Sequence, residues 1–193
     1  MKSNRDNKSK TKFWWAIFII FVMLSSSAAF VWNSFSNSNG NIKDKATFNG
    51  YKFKINSNGI WETIYKGQTF EFYYLPDQLN DISLNDITIN EQKVYIAYNA
   101  SVNDQYTALN MQRLRLLMYL NNIMGITSCI EEKNCPDIPV VDCDGSNKVI
   151  YLKLNEESIG KIETLEDCTV ISGNSIAMNK AVEKLIYRMM DII

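Results

Sequence analysis

The sequence predicts an α+β domain carried on one N-terminal transmembrane helix. Three observations carry that prediction: an uncharged apolar run over residues 13–32, short stretches of period-two alternation broken by turn residues, and two longer stretches with apolar side chains at helical spacing.

The chain opens on a basic stub, residues 1–12, with Lys2, Arg5, Lys8, Lys10 and Lys12 against Asp6. Residues 13–32, FWWAIFIIFVMLSSSAAFVW, carry no charged side chain. At about 1.5 Å per residue such a helix spans about 30 Å, the thickness of a hydrocarbon core. Trp14 and Trp15 at one end and Trp32 at the other suit the two interfaces. The basic flank places the N-terminus in the cytoplasm, so the membrane is the first expected partner and everything beyond residue 32 lies outside. The alternative is a cleaved signal peptide, with Ser27-Ala28-Ala29 as the processing site, but apolar character resumes at Phe30-Val31-Trp32 and favours a retained anchor. Both routes export the rest of the chain.

Residues 33–49, NSFSNSNGNIKDKATFN, have the composition of a flexible linker. An extracytoplasmic domain follows over residues 50–193. It opens on YKFKI, IWETIY and TFEFYYLP, separated by NSNG and KGQ, which predicts a three-stranded antiparallel meander ended by Pro76. A polar stretch with a turn or short helix leads to the strand-like KVYIAY, residues 93–98. Residues 104–124 carry Leu109, Leu114, Leu117, Leu120, Ile123 and Met124 at helical spacing, with Gly125 as the expected C-cap. An irregular connection rich in Cys and Asp follows. Then residues 149–154, 159–163 and 168–172 predict a second, short-stranded sheet in an up-down-up meander. Met178, Val182, Leu185, Ile186, Met189 and Ile193 make residues 175–193 an amphipathic C-terminal helix.

Composition removes several function classes. Residues 51–193 hold 13 Lys and Arg against 19 Asp and Glu, 13 − 19 = −6, so the domain repels phosphate backbones and no nucleic-acid partner is expected. There is no histidine, which takes away the commonest general base and transition-metal ligand. No cofactor, metal or catalytic residue is expected. Asp142-Cys143-Asp144-Gly145 resembles the start of a calcium loop, but with Gly145 as the loop glycine the first and last ligand positions fall on Val140 and Tyr151, so a turn is the better reading. Trp61, Tyr65, Phe70, Phe72, Tyr73 and Tyr74 make the first sheet aromatic, either as core or as a surface for a sugar or protein partner. Asn99-Ala100-Ser101 is a glycosylation sequon on the exported side.

Cys129, Cys135, Cys143 and Cys168 all lie in the exported half, and their even number predicts two disulfides. No pair has the CxxC spacing of zinc or thioredoxin-like sites. If the last three strands run up, down and up, the first and third begin at one end of the sheet, so Cys143 reaches Cys168. That leaves Cys129 with Cys135.

The run GQTFEFYYLP, Cys129 with Cys135-Pro136, Asp142-Cys143, VIYL, Cys168-Thr-Val-Ile and the terminal LIYRMM resemble a family of membrane-anchored, disulfide-containing envelope proteins of small-genome archaea. The resemblance covers most of residues 50–193. It implies location and disulfides, and it carries over no catalytic residue because the family has no established activity. The expectation is a structural or interaction protein of the cell envelope that meets a protein partner at the membrane surface. The alternatives are a carboxylate-dependent hydrolase of envelope polymer and a small-ligand sensor or binding module.

Overall fold

The structure, a computed structural model, describes residues 44–193 apart from 85, 86, 88, 90, 102, 103, 145 and 146. The stub, the expected membrane span and residues 33–43 of the linker lie outside the described residues. Among the described residues no helix is long and apolar enough to cross a membrane.

Four strands form an antiparallel meander, β1 (Lys45–Phe48), β2 (Tyr51–Ile55), β3 (Trp61–Tyr65) and β4 (Gln68–Phe72), in the order β1-β2-β3-β4. Its two tight hairpins turn on Asn49-Gly50 (φ 42° and 84°) and Lys66-Gly67 (φ 47° and 81°). Two successive positive φ values give the primed turn whose twist matches that of the flanking strands, and Asn and Gly tolerate that region best. The third turn is closed by Asn56, whose Oδ1 accepts the N–H groups of Asn58 and Ile60. The expected three strands are present, but the expected linker ends sooner. Lys45–Phe48 pairs with β2 from Lys45↔Lys54 to Phe48↔Tyr51, and Ala46 and Phe48 pack against the core. The polar composition of KATF masked two inward-facing apolar side chains at alternate positions.

The second sheet departs further from expectation. It has five strands in the order β6-β5-β7-β9-β8: β5 (Lys93–Tyr98), β6 (Met124–Cys129), β7 (Val149–Leu154), β8 (Lys161–Leu165) and β9 (Cys168–Gly173). β5 pairs in parallel with both β6 and β7, β7 pairs in parallel with β9, and only β8 is antiparallel, on the edge beside β9. The sheet is therefore mixed rather than an up-down-up meander. The strand directions are as expected, while the spatial order is not. The hairpin β8-β9 turns at Glu166 (φ 51°), between the partners Leu165 and Cys168.

Two helices cover one face of this sheet, α1 (Gln105–Leu120) and α2 (Ser175–Met189). The Asp104 carboxylate caps α1 by accepting the Thr107 N–H, and Asn174 Oδ1 caps α2 by accepting the Ala177 N–H. Gly125 does not end α1. Asn122 does, at φ 60°, with its N–H on the Tyr119 carbonyl and the Ile123 N–H on the Met118 carbonyl. Asp191 (φ 58°) closes α2 the same way, with Ile192 N–H on the Tyr187 carbonyl. Gly125 instead lies in β6, where an added Cβ would sit 3.1 Å from Met118 Sδ. It is small because the strand passes close beneath α1.

The layers run meander, helices, mixed sheet, disulfide-bonded loop. Phe53 and Phe72 of the meander pack their rings on Tyr187 of α2. Ile96, Ile150, Leu152 and Ile171 of the mixed sheet belong to the same buried cluster as Leu114, Leu117, Met118, Val182 and Leu185 of the helices. The opposite face of the mixed sheet forms a second cluster of Ala97, Val149, Cys168 and Val170 covered by Val141, Ile130 and Cys143. β9 is buried along its whole length because both its faces are covered, while β7 is buried at Val149, Ile150 and Leu152 and reaches the surface at Lys153.

Candidate functional site

At the carboxyl ends of parallel strands the connections leave the sheet, and where neighbouring connections diverge a crevice opens. In this fold β6 and β7 flank β5 on opposite sides. The connection leaving β5 passes through α1 to β6, while that leaving β7 runs towards β8, so the chain diverges at the ends of β5 and β7. A small recess of about 40 Å³ marks the spot, lined by Asn99, Thr107, Tyr151, Leu152 and Leu154. Beside it, above β5 and β6, lies a larger cleft of about 690 Å³.

Three pieces of chain build the larger cleft. Tyr98, the last residue of β5, and Thr127 of β6 contribute from the sheet, the first turns of α1 contribute Thr107, Met111 and Arg115, and the loop after β6 contributes Asn134 and Pro136. That loop is short and pinned. Cys129 is bonded to Cys135, six residues on, Cys129 N–H donates to the Pro139 carbonyl, and Val141 N–H donates to the Cys129 carbonyl. The Asn134 amide also reaches Ser101 Oγ at 3.3 Å, closing the mouth from the β5 side. Asp104 at the head of α1 is held from two directions. Its Oδ2 accepts Thr107 N–H at 2.9 Å and Thr107 Oγ1 at 3.1 Å, and its Oδ1 accepts Ser175 Oγ at 3.1 Å, which links the starts of the two helices.

A buried carboxylate lies elsewhere. Glu183 of α2 is fully buried, and its oxygens accept the N–H groups of Tyr73 at 3.0 Å and Tyr74 at 3.1 Å and the Arg113 guanidinium at 3.2 Å. Burial pushes the Glu183 carboxyl up from the ordinary range, against the lowering pull of Arg113 and of the two backbone N–H groups. Arg113 also donates to the Glu71 carbonyl at 2.7 Å and stacks over the Phe72 ring at 5.3 Å. The Tyr187 hydroxyl completes the cluster by donating to the Tyr74 carbonyl at 2.6 Å, and burial raises its pKa strongly. This arrangement covers the end of the β4 edge, from the Glu71 carbonyl to Tyr74, and ties the meander to both helices. With its lone pairs and protons used in that way, it is a structural staple.

The cysteines form two bonds, Cys129–Cys135 and Cys143–Cys168. Both lie around the loop that covers the second face of the mixed sheet. The pairing follows from the parallel register, in which Val149 faces Cys168 across the β7-β9 ladder. The aromatic run divides: Phe70, Phe72 and Tyr65 are core, Trp61 and Tyr74 are half-buried against it, and Tyr73 is 47% exposed. Of the acidic connection, Glu131, Glu132, Asp137, Asp142 and Asp144 are all exposed, and Gly145 lies outside the described residues. Among the described residues no group of three His, Cys, Asp or Glu side chains is placed to hold a metal ion. Asn99 follows β5, half-buried, with its Oδ1 accepting Ser101 N–H at 2.8 Å. Arg115, Gln112 and Thr127 went unread in the sequence because only the parallel βαβ unit brings them to one cleft, and no local pattern announces that unit.

Fold and site together define a layered α+β domain with a disulfide-clamped loop over a mixed sheet. Comparison with protein-family models, with curated proteins and with solved structures returned no match.

Proposed function

We propose that the chain is a membrane-anchored interaction protein of the cell envelope, with its N-terminus in the cytoplasm and the α+β domain outside, of the kind its sequence resembles. The observation that carries this reading is the pair of disulfides, Cys129–Cys135 and Cys143–Cys168, which use every cysteine of the chain and suit an oxidising compartment. The uncharged run over residues 13–32 and its basic flank supply the anchor and the orientation. The hydrolase alternative has less support, since the one fully buried carboxylate among the described residues, Glu183, is spent on backbone N–H groups and Arg113.

The test is labelling in intact cells followed by crosslinking. A cysteine at Asn39 reacts with an impermeant thiol reagent while one at Ser9 is protected, and a photo-crosslinker at Gln112 in native membranes yields a discrete adduct that the same probe at Lys52, on the far sheet, does not. Reversed labelling rejects the orientation, and identical adducts from both probes reject the cleft as the contact surface.

A further inference from the structure

We propose that the cleft between α1 and the Cys129–Cys135 loop binds a carboxylate group through Arg115, the remainder of the ligand lying on Met111, Ala108 and Pro136. The inference deepens the interaction reading by naming what the exported domain recognises.

The argument starts from the charges that line the cleft. There are two, Asp104 and Arg115. Asp104 is committed to the protein's own donors through both oxygens, to Thr107 and to Ser175. Arg115 makes no hydrogen bond or ion pair among the described residues. Asp104 keeps its charge, since Thr107 and Ser175 are neutral donors, but both its oxygens are engaged; the charged group free to pair with a ligand is Arg115, whose planar guanidinium pairs bidentately with carboxylates. Gln112, one turn before on the helix, and Thr127 and Tyr98 line the same space, and each carries a side-chain donor.

Charge balance across the domain separates carboxylate from phosphate. Residues 51–193 carry 13 basic against 19 acidic side chains, so a dianion meets one cation in a repulsive field, whereas a monoanion is matched by Arg115 alone. The cleft volume of about 690 Å³ holds more than a bare carboxylate. Met111, Ala108 and Pro136 offer the apolar surface that an attached side chain or hydrocarbon needs. The carboxylate has two sources, a small organic acid or the free end of a peptide, and both present the same group to Arg115.

The experiment uses the full chain in nanodiscs with methyl-labelled methionine, following the Met111 methyl signal, assigned through Met111→Leu. The probes are hexanoate, N-acetyl-alanyl-phenylalanine with a free carboxylate, the same dipeptide as its amide, and inorganic phosphate. Either acid should shift the signal saturably. The amide and the Arg115→Gln chain should each bind about ten- to a hundredfold more weakly, the loss expected for a charged hydrogen-bonded contact, and Lys52→Gln should bind as wild type. Tighter binding of the dipeptide than of hexanoate assigns the peptide end, and the reverse assigns the small acid. Equal binding of acid and amide, undiminished binding by Arg115→Gln, stronger binding of phosphate, or no saturable shift with any probe overturns the proposal. Such a failure leaves the labelling and crosslinking outcome untouched, so it is told apart from failure of the interaction reading.

Discussion

Replacing Arg113 with Met tests the staple that joins the two sheets. The Arg113 side chain is 11% exposed and the Glu183 side chain 0%, so the substitution strands a carboxylate that water cannot reach. Removing one partner of a buried pair costs about 3–5 kcal/mol, against a total stability for such domains of about 5–15 kcal/mol. The pH dependence gives the diagnosis. Burial raises the Glu183 pKa above its unfolded value, so the native state keeps a proton that the unfolded chain releases. The associated stability is complete below the unfolded value of about 4.3 and is lost as pH rises through the folded one. Arg113 supplies the largest of the lowering influences, so its removal lifts the folded pKa further and deepens the loss at neutral pH. Urea unfolding of residues 44–193, followed by circular dichroism, should show the gap between wild type and Arg113→Met widest near neutral pH and narrowing towards about pH 4.5. Adding Glu183→Gln to Arg113→Met should recover part of the loss by removing the stranded charge. A gap that stays constant with pH, or an additive double variant, would refute the reasoning.

Three further outcomes are expected. Loop-closure entropy, with a sequence separation of 25 for Cys143–Cys168 and 6 for Cys129–Cys135, gives about 3.5 kcal/mol for the first bond and about 2.2 for the second. Cys168→Ser should therefore lower the denaturation midpoint more than Cys135→Ser, and the opposite order would show that native contacts outweigh chain entropy. Gly160→Ala places a Cβ 2.2 Å from the Ala177 carbonyl oxygen, a backbone atom that moves only with α2, so a loss of about 1–3 kcal/mol or more is expected on thermal unfolding; a neutral result would mean that the segment before β8 shifts freely. Tyr187→Phe strips the donor from the Tyr74 carbonyl and should cost about 1–3 kcal/mol with native circular dichroism retained, whereas a cost near zero would mean that water replaces the hydroxyl.

Local chemistry made the meander and both helix starts legible. The Lys66-Gly67 turn, alternation in YKFKI and TFEFYYLP, and Asp104 and Asn174 before periodic apolar runs are short-range signals that the fold obeys, whereas the Asn49-Gly50 turn is passed over because Asn49 reads as part of the linker. β6 was lost because Met124 extends the apolar spacing of Leu120 and Ile123, so it joins the helix with Gly125 as the cap, and the short run that follows, Ile126 to Ser128, falls to no element. The αL residue that ends that helix is Asn122, three positions before the glycine that attracts the eye. The order of the second sheet had a readable signal that was not weighed. CTVISG is an unbroken buried run, whereas KIETL is exposed at four of five positions, which is the contrast between a central and an edge strand.

The cysteines illustrate how a correct pairing can rest on an incomplete topology. Any arrangement in which the strands after Cys143 and from Cys168 start at the same end brings those two together, whether β8 lies between them or beyond them. The difference matters for what the bonds hold. With β8 between, Cys143–Cys168 would span a strand; with β7 and β9 adjacent, it fastens the connecting loop onto Val149 and Val170 at the centre of the sheet's second face. Cys129–Cys135 then anchors the other end of the same loop beside Asn134 and Pro136, at the rim of the cleft. Glu183 and Arg113 hold the meander to the helices on the far side, and neither contributes a lining residue to that cleft. The staple and the proposed binding cleft thus lie on opposite sides of the helical layer, so weakening the staple should lower the unfolding midpoint while the folded fraction keeps the cleft's shape.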